Sequence, residues 1–358
     1  MPDPLSDHPL LPRSDAMPVV IGPWQGADVC GEPTAEYQAA AQGIAITDRG
    51  YRGLLEITGA DRASWLQNLI TNHVKSLQPG DGNYAFAANV KGRILFDLIV
   101  LVRPQSLWLD IDRRWIDAAR AHLEKYIIME DVRVIDRSSE FARVALLGPR
   151  TPDRLGRLPF AQLTNAPLWQ HGDASIDNIA MTFFRSDFCG PFAIDFLVPL
   201  DRRDDAWRSL QSPTAATPIG YRTTDVLRIE SAIAWPITEI NDDVLPAETG
   251  LLDHAVSFNK GCYLGQEIIE RMRSRGALAR QLVLLRLHGH DVPPHGAHIN
   301  AGDVDLGPIT SSCASPRFGN PVALGFVRSA SARPGAQLVI TWNQNKSSAE
   351  VIAPPPSH

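Results

Sequence analysis

Two textures divide this sequence, and the point where one replaces the other limits the folds open to it. Between residues 53 and 129, strand-like apolar runs alternate with stretches of helical periodicity. Beyond Gly276 the helical periodicity ends, and short β-type runs (282–287, 323–327 and 337–342) alternate with Gly, Pro and Ser turns. A mixed body followed by a small all-β domain is the arrangement that buries both patterns.

Within the first texture the order is strand (53–59), helix, two strands (93–102 and 106–111) and a second helix (114–129). That order suggests an α+β unit of ferredoxin-like type. Asp61 can cap the first helix, whose Trp65, Leu66, Leu69, Ile70, His73 and Val74 share one face before Pro79 and Gly80 break it. A short helix ending near Gly43 precedes this unit. A second unit opens with a strand at 143–148 and takes in a strand at 193–198 and a helix around 203–210. The expected domains are an extended N-terminal arm rich in Pro and Asp (1–34), two α+β domains (35–140 and 141–276) and a C-terminal β domain (277–358).

Composition excludes several function classes. The 358 residues carry 34 basic and 40 acidic side chains, a net charge of −6, where a constitutive nucleic-acid binder would carry a basic excess. Cys30, Cys189, Cys262 and Cys313 form no CxxC pair, so neither a disulfide framework nor a zinc or iron–sulfur ligand motif is present. The acidic, Pro-containing start lacks the basic and apolar regions of a signal peptide, and no apolar run is long enough to span a membrane. The expectation is a cytoplasmic protein with reduced thiols, no membrane association and no stable nucleic-acid partner. No Walker loop, dinucleotide fingerprint, nucleophile elbow or zinc-protease helix occurs.

The densest polar segment runs from Asn259 to Gly276. Gly261 and Gly265 bracket Cys262 and Tyr263, and Gln266 opens a helix with Glu267 in its first turn. A cysteine just before a helix N-terminus and two residues from Lys260 sits where a thiolate is favoured, but a small residue filling a tight turn gives the same pattern. Glu267, Glu270, Arg271, Arg273 and Arg275 read either as a site or as a solvated helix face. The arginines, with Arg280, make the one locally basic stretch, suited to a polyanion or simply to solvent. Asp97 interrupts an apolar strand and either lines a cavity or marks a solvent face, and Glu230 within 225–231 poses the same question. Four histidines between His288 and His298 sit in a Gly/Pro-rich stretch that reads as a loop of the β domain. Glu239, Asp242 and Asp243 belong to an acidic loop without the glycine and terminal Glu of a calcium site, which reads as solvated.

Lys260-Gly-Cys-Tyr-Leu-Gly-Gln-Glu267, followed by Arg271 and Arg275-Gly276, closely resembles the signature of the YgfZ-like folate-binding family, which includes iron–sulfur assembly factors and lies within the glycine-cleavage T-protein (aminomethyltransferase) superfamily. Residues 57–62, Trp65-Leu-Gln67, Thr71-Asn72, Gly92–Asp97, Leu227–Glu230 and Leu245–Glu248 are similar to superfamily segments, so the resemblance spans roughly residues 35–345. It implies a three-domain ring of T-protein type, two ferredoxin-like α+β units and a C-terminal β-barrel, around a central pocket for tetrahydrofolate or a derivative. On that reading Glu230 bonds the pterin ring, Asp97 lies near the reactive folate nitrogens, and Lys260, Tyr263, Gln266 and Arg271 belong to the cofactor site. Cys262 is implied as a catalytic thiolate, a transient metal ligand or a redox partner. The T-protein pattern has two adjacent acidic residues where this chain has Phe96-Asp97, and it lacks Cys262. The expected function is therefore a tetrahydrofolate-binding accessory of iron–sulfur cluster assembly or repair, partnered by assembly proteins or by 4Fe–4S client enzymes, including tRNA-modifying ones. The alternatives are a folate-dependent aminomethyltransferase or demethylase, and an interaction scaffold with a vestigial pocket.

Overall fold

The computed structural model describes residues 18–156, 158–275 and 278–355. The arm expected over 1–34 lies outside the described residues as far as residue 17, and its remainder begins with a hairpin of β1 (Val19–Ile21) and β2 (Trp24–Gly26). The chain packs as two compact units. One comprises the described residues up to Arg62 with Leu77–Asn83 and Ile99–Asp225; the other comprises Ala63–Ser76, Tyr84–Leu98 and the chain from Val226 onward.

The first unit carries a six-stranded sheet in the order β10 (His171–Ile176), β11 (Ile179–Ser186), β12 (Ala193–Pro199), β9 (Phe141–Leu147), β3 (Ala45–Asp48) and β13 (Thr217–Pro218). The pairs are antiparallel except β13 on β3. Its core gathers Leu146, Phe160, Phe183, Phe196, Trp207 and Leu210. Helix α5 (Arg203–Thr214) contributes Ala206, Trp207, Leu210 and Thr214, the spacing of one helical face. Helices α1 (Pro33–Gln42) and α4 (Thr151–Leu155) complete this part, and α1 stops at Gly43 as the sequence indicates.

A five-stranded sheet runs β5 (Gly82–Ala88), β6 (Ile94–Val102), β7 (Leu107–Asp112), β4 (Arg52–Thr58), β8 (Arg133–Asp136). The Tyr84–Ala88 part of β5 and the Ile94–Leu98 part of β6 belong to the second unit. Helix α3 (Ile116–Glu124) covers β4 at Gly53, where a Cβ would lie 2.7 Å from Ile116 Cγ1. Close helix-to-strand approach is therefore what fixes that glycine.

A charge network is buried in the first unit. Arg49 donates twice to Asp195 at 2.5 and 2.6 Å, and Arg143 donates to Asp195 at 3.2 Å and pairs with Asp110. Arg52 also pairs with Asp110 at 2.6 Å. Both carboxylates have no solvent exposure.

The second unit contains a closed barrel in the order β14 (Arg280–Leu287), β17 (Pro321–Arg328), β16 (Val304–Ala314), β15 (His298–Ala301), β18 (Gln337–Trp342), β19 (Asn345–Ile352), with β19 pairing back to β14. Closure removes the exposed edges that an open sheet would present. Val283, Leu285 and Leu287 of β14 enter the barrel core with Ile299, Ile309, Ala323 and Ile340. The intervening Leu284 joins a second cluster with Ile229 of α6 (Tyr221–Glu230). Helices α7 (Leu252–Ala255) and α8 (Gln266–Arg275) precede the barrel.

Two local expectations are corrected. The helix after Asp61 is only α2 (Arg62–Gln67), because its backbone tightens into i→i+3 bonds at Asn68 and Leu69 before Ile70 bridges Ala87. The helix expected to Met129 ends at Glu124, and Ile128 and Met129 are exposed. Residues 225–230, whose element the sequence left open, lie in helix α6, where Ile229 packs on the barrel.

Candidate functional site

The segment 259–265 folds as a loop leading into α8, whose first turn holds Gln266 and Glu267. Gly265 adopts φ +83°, and a Cβ there would lie 2.5 Å from the Asn89 carbonyl and 3.0 Å from Gly92 Cα. Glycine is required both by the backbone angle and by this approach. The β5–β6 turn therefore seats directly under the loop, and Gly92 lies against Ile268 of α8. The strand that leaves this turn, β6, carries Asp97.

Lys260 is buried, and its ammonium donates to three backbone carbonyls: Gln67 (2.5 Å), Ile70 (2.6 Å) and Asn72 (2.8 Å). Burial pulls its pKa down to about 7, while the three carbonyls favour the protonated form. All three of its N–H bonds are committed within the protein, whereas the resemblance implies a contact to cofactor. Tyr263 is also buried, 5.0 Å from the Lys260 ammonium at its ring centroid, and its hydroxyl has no hydrogen-bond partner among the described residues. Burial and the neighbouring Glu270 charge push that hydroxyl up to about 12. Gln266 accepts the Tyr263 N–H at 3.3 Å and donates to Glu270 at 2.7 Å, so its amide caps the loop.

Between these anchored residues Cys262 is exposed. Cys189 and Cys313 are buried; burial raises the Cys189 pKa, while partial burial and Glu36 raise that of Cys30 to about 12. Glu267, Glu270, Arg271 and Arg273 are exposed on α8, with the Arg273 guanidinium 4.1 Å from the Phe258 ring. Arg280 leaves the basic stretch by pairing with Glu248 at 3.1 Å. Gly276 of the signature lies outside the described residues, and Arg275 closes α8. Among the described residues no group of three or more His, Cys, Asp or Glu side chains is placed to hold a metal ion, so the His288–His298 segment supplies none; His295 bonds Thr310 and His298 bonds Asp305.

Asp97 is 4% exposed, and its Oδ2 accepts the Tyr84 hydroxyl at 3.0 Å. Glu230, at the end of α6, is 1% exposed; its Oε1 accepts the Ser315 hydroxyl and the Arg317 N–H, the latter at 3.1 Å. Two residues earlier Arg228 pairs with Glu239 at 3.0 Å, and Glu239 also accepts from Ser311 at 2.6 Å and from the Trp235 N–H at 3.0 Å. The second unit thus holds the buried carboxylates of Asp97, Glu230 and Glu239, with hydroxyl or backbone donors, together with the anchored loop bearing an exposed thiol. Glu239, expected in a solvated acidic loop, is instead fully buried, because Arg228, Ser311 and the Trp235 N–H supply its carboxylate with partners. Tyr84 and Ser315 were not singled out by sequence reasoning. Tyr84 could have been found as the one polar ring among small residues in Tyr84-Ala-Phe-Ala-Ala88; Ser315 gives no local signal.

Among the described residues no helix is long and apolar enough to cross a membrane. The GCVT N-terminal domain matches residues 21–260, and the glycine cleavage T-protein C-terminal barrel domain matches residues 280–357. An aminomethyltransferase of Thermosynechococcus vestitus is 27% identical over 341 residues, covering 95% of this chain and 92% of that protein. One of Listeria monocytogenes is 25% identical over 350 residues, covering 97% and 96%. The crystal structure of the glycine cleavage system aminomethyltransferase T from Bartonella henselae superposes with a TM-score of 0.84 at 21% identity, over 94% of this chain and 93% of that one. The mixed α/β body and closed six-stranded barrel are the T-protein fold, and the chain belongs to the glycine-cleavage T-protein family.

Proposed function

We propose that this protein binds tetrahydrofolate or a derivative and acts as a folate-dependent one-carbon transferase of aminomethyltransferase type. The observation that carries this reading is the pair of buried carboxylates, Asp97 and Glu230, each held by hydroxyl or backbone donors. Glu230 would accept N–H bonds from the pterin edge, a role in which a carboxylate oriented by Ser315 and the Arg317 N–H is already fixed. Asp97 would take the proton that a folate nitrogen loses on gaining the carbon, and Tyr84 would hold it in place. The aminomethyltransferases to which the chain is similar end to end support the same reading. We place this activity in the cytoplasm, where the thiols stay reduced.

The test is titration with 5-formyltetrahydrofolate and assay of methylenetetrahydrofolate formation from an aminomethyl donor. Glu230→Gln should weaken folate binding by about tenfold or more, the scale of a hydrogen bond to a charged group. Asp97→Asn should lower the transfer rate by about 10²-fold or more while changing affinity less. Wild-type affinity in Glu230→Gln would overturn the assignment.

A second reading is favoured by one observation: Cys262 is exposed on a loop whose neighbours on both sides are anchored. The resemblance of this loop to the YgfZ-like signature supports a role in assembly or repair of iron–sulfur clusters. A single thiol would need ligands from an assembly protein or a 4Fe–4S client to complete a cluster. Cys262→Ala at the native locus separates the two readings. Loss of 4Fe–4S dehydratase activity to the deletion level, with folate binding intact, selects the second; indifference selects the first.

A further inference from the structure

The Lys260 ammonium lies far from Asp97 along the chain, yet an unbroken series of hydrogen bonds joins them inside the second unit. Lys260 gathers the carbonyls of Gln67, Ile70 and Asn72, which end α2 and form the turn after it. That turn is stitched to β5 along its length. The Thr71 N–H donates to the Phe86 carbonyl at 2.9 Å, and the Thr71 hydroxyl accepts the Phe86 N–H at 2.9 Å and donates to the Ala255 carbonyl at 2.6 Å. Asn72 Nδ2 donates to the Tyr84 carbonyl at 2.8 Å and to the His254 carbonyl at 2.9 Å. The Tyr84 side chain in turn donates to Asp97.

We propose that Lys260 is a positioning residue for the Asp97 carboxylate, acting through the 67–72 turn and Tyr84. An ammonium has three donors and no acceptor, which suits three converging carbonyls that would otherwise repel one another in a dry site. With the clamp in place the turn fixes the backbone of β5 at Tyr84, and the Tyr84 hydroxyl fixes Asp97. The inference rests on the reading of Asp97 as a folate-site group, and it gives the lysine of the signature a task distinct from touching cofactor.

Two measurements on the full chain test it. Amide hydrogen exchange, recorded without folate, should show Lys260→Met speeding exchange in segments 67–75 and 84–88. Asn72→Ala, which leaves the clamp but cuts the link to Tyr84, should speed exchange in 84–88. Unchanged exchange at 84–88 in folded Lys260→Met overturns the proposal. The second measurement is the dissociation constant of 5-formyltetrahydrofolate. Lys260→Met, Asn72→Ala and Tyr84→Phe should each weaken binding by about 3–10-fold, and none should weaken it further once Asp97→Asn is present, the mark of residues acting through one group. A purely structural role would lower affinity equally in both backgrounds, which also overturns it. Lys260→Arg, with donors for part of the carbonyl set, should fall between wild type and Lys260→Met. Should Asp97→Asn both bind folate and transfer the carbon as wild type does, the folate role of Asp97 fails, and amide exchange alone decides whether Lys260 holds β5.

Discussion

Asp195→Asn isolates charge in the buried network of the first unit. The substitution keeps the side-chain volume and still allows an oxygen to accept from Ser186, which donates to Asp195 at 2.5 Å. It removes the carboxylate that faces Arg49 and Arg143, both with side chains no more than 3% exposed. Arg49 then loses its carboxylate partner, while Asp110 still faces Arg52 and Arg143. Removing one partner of a buried ion pair costs about 3–5 kcal/mol, because the remaining charge stays desolvated. At roughly 2–4 °C per kcal/mol for a domain of this size, the melting temperature should fall by about 6–20 °C. Burial pushes the Asp195 carboxyl up, but Arg49 and Arg143 together outweigh it and hold it below its ordinary 3.8. A depressed carboxyl contributes stability that is fully present above the unfolded value and lost as pH falls through the folded one. The gap between wild type and variant should therefore be constant from pH 8 to 5 and narrow only below 3.8. Urea unfolding at pH 7 and calorimetry across pH 3–8 read both effects. A loss below about 1 kcal/mol at pH 7, the scale of an ordinary substitution, would refute the argument.

Gly265→Ala should displace the signature loop, since its Cβ would meet the Asn89 carbonyl at 2.5 Å; a loss of about 1–3 kcal/mol on thermal unfolding, the cost of a strained backbone position, is expected. Alkylation at pH 8 followed by peptide mass spectrometry should label Cys262 first, with Cys189 and Cys313 protected until the protein unfolds. Glu239→Gln should destabilise the second unit by about 3 kcal/mol or more, leaving Arg228 without its carboxylate, and urea unfolding measures it.

Elements set by their own apolar spacing were legible. Helix α1, strands β4, β6, β7 and β12 and helix α5 fall within a few residues of where apolar spacing puts them, and the β texture beyond Gly276 becomes a closed barrel. Elements set by distant contacts were not. The apolar face that runs from Trp65 to Val74 reads as one long helix, but Lys260 captures the carbonyls of Gln67, Ile70 and Asn72, and the helix stops at Gln67. Residues 226–229 fit a strand or a helix until Ile229 meets the barrel. At the candidate site, the residue types of Asp97, Glu230 and Cys262 were visible. The groups that orient them, Tyr84, Ser315 and the Arg317 N–H, reach across 13, 85 and 87 residues and leave no periodic trace.

The carbonyl clamp also sets an order of events during synthesis. Lys260 follows Gln67 and Ile70 by 193 and 190 residues, so the turn leaves the ribosome long before the ammonium that secures it exists. At about 5–20 residues per second the delay is roughly 10–40 s. Throughout that interval Trp65, Leu66, Leu69 and Ile70, all buried in the finished protein, lack the tie that ends their helix. A chain truncated before residue 260 should therefore leave the 67–72 turn without its clamp, which limited proteolysis of such a fragment would read as faster cleavage there.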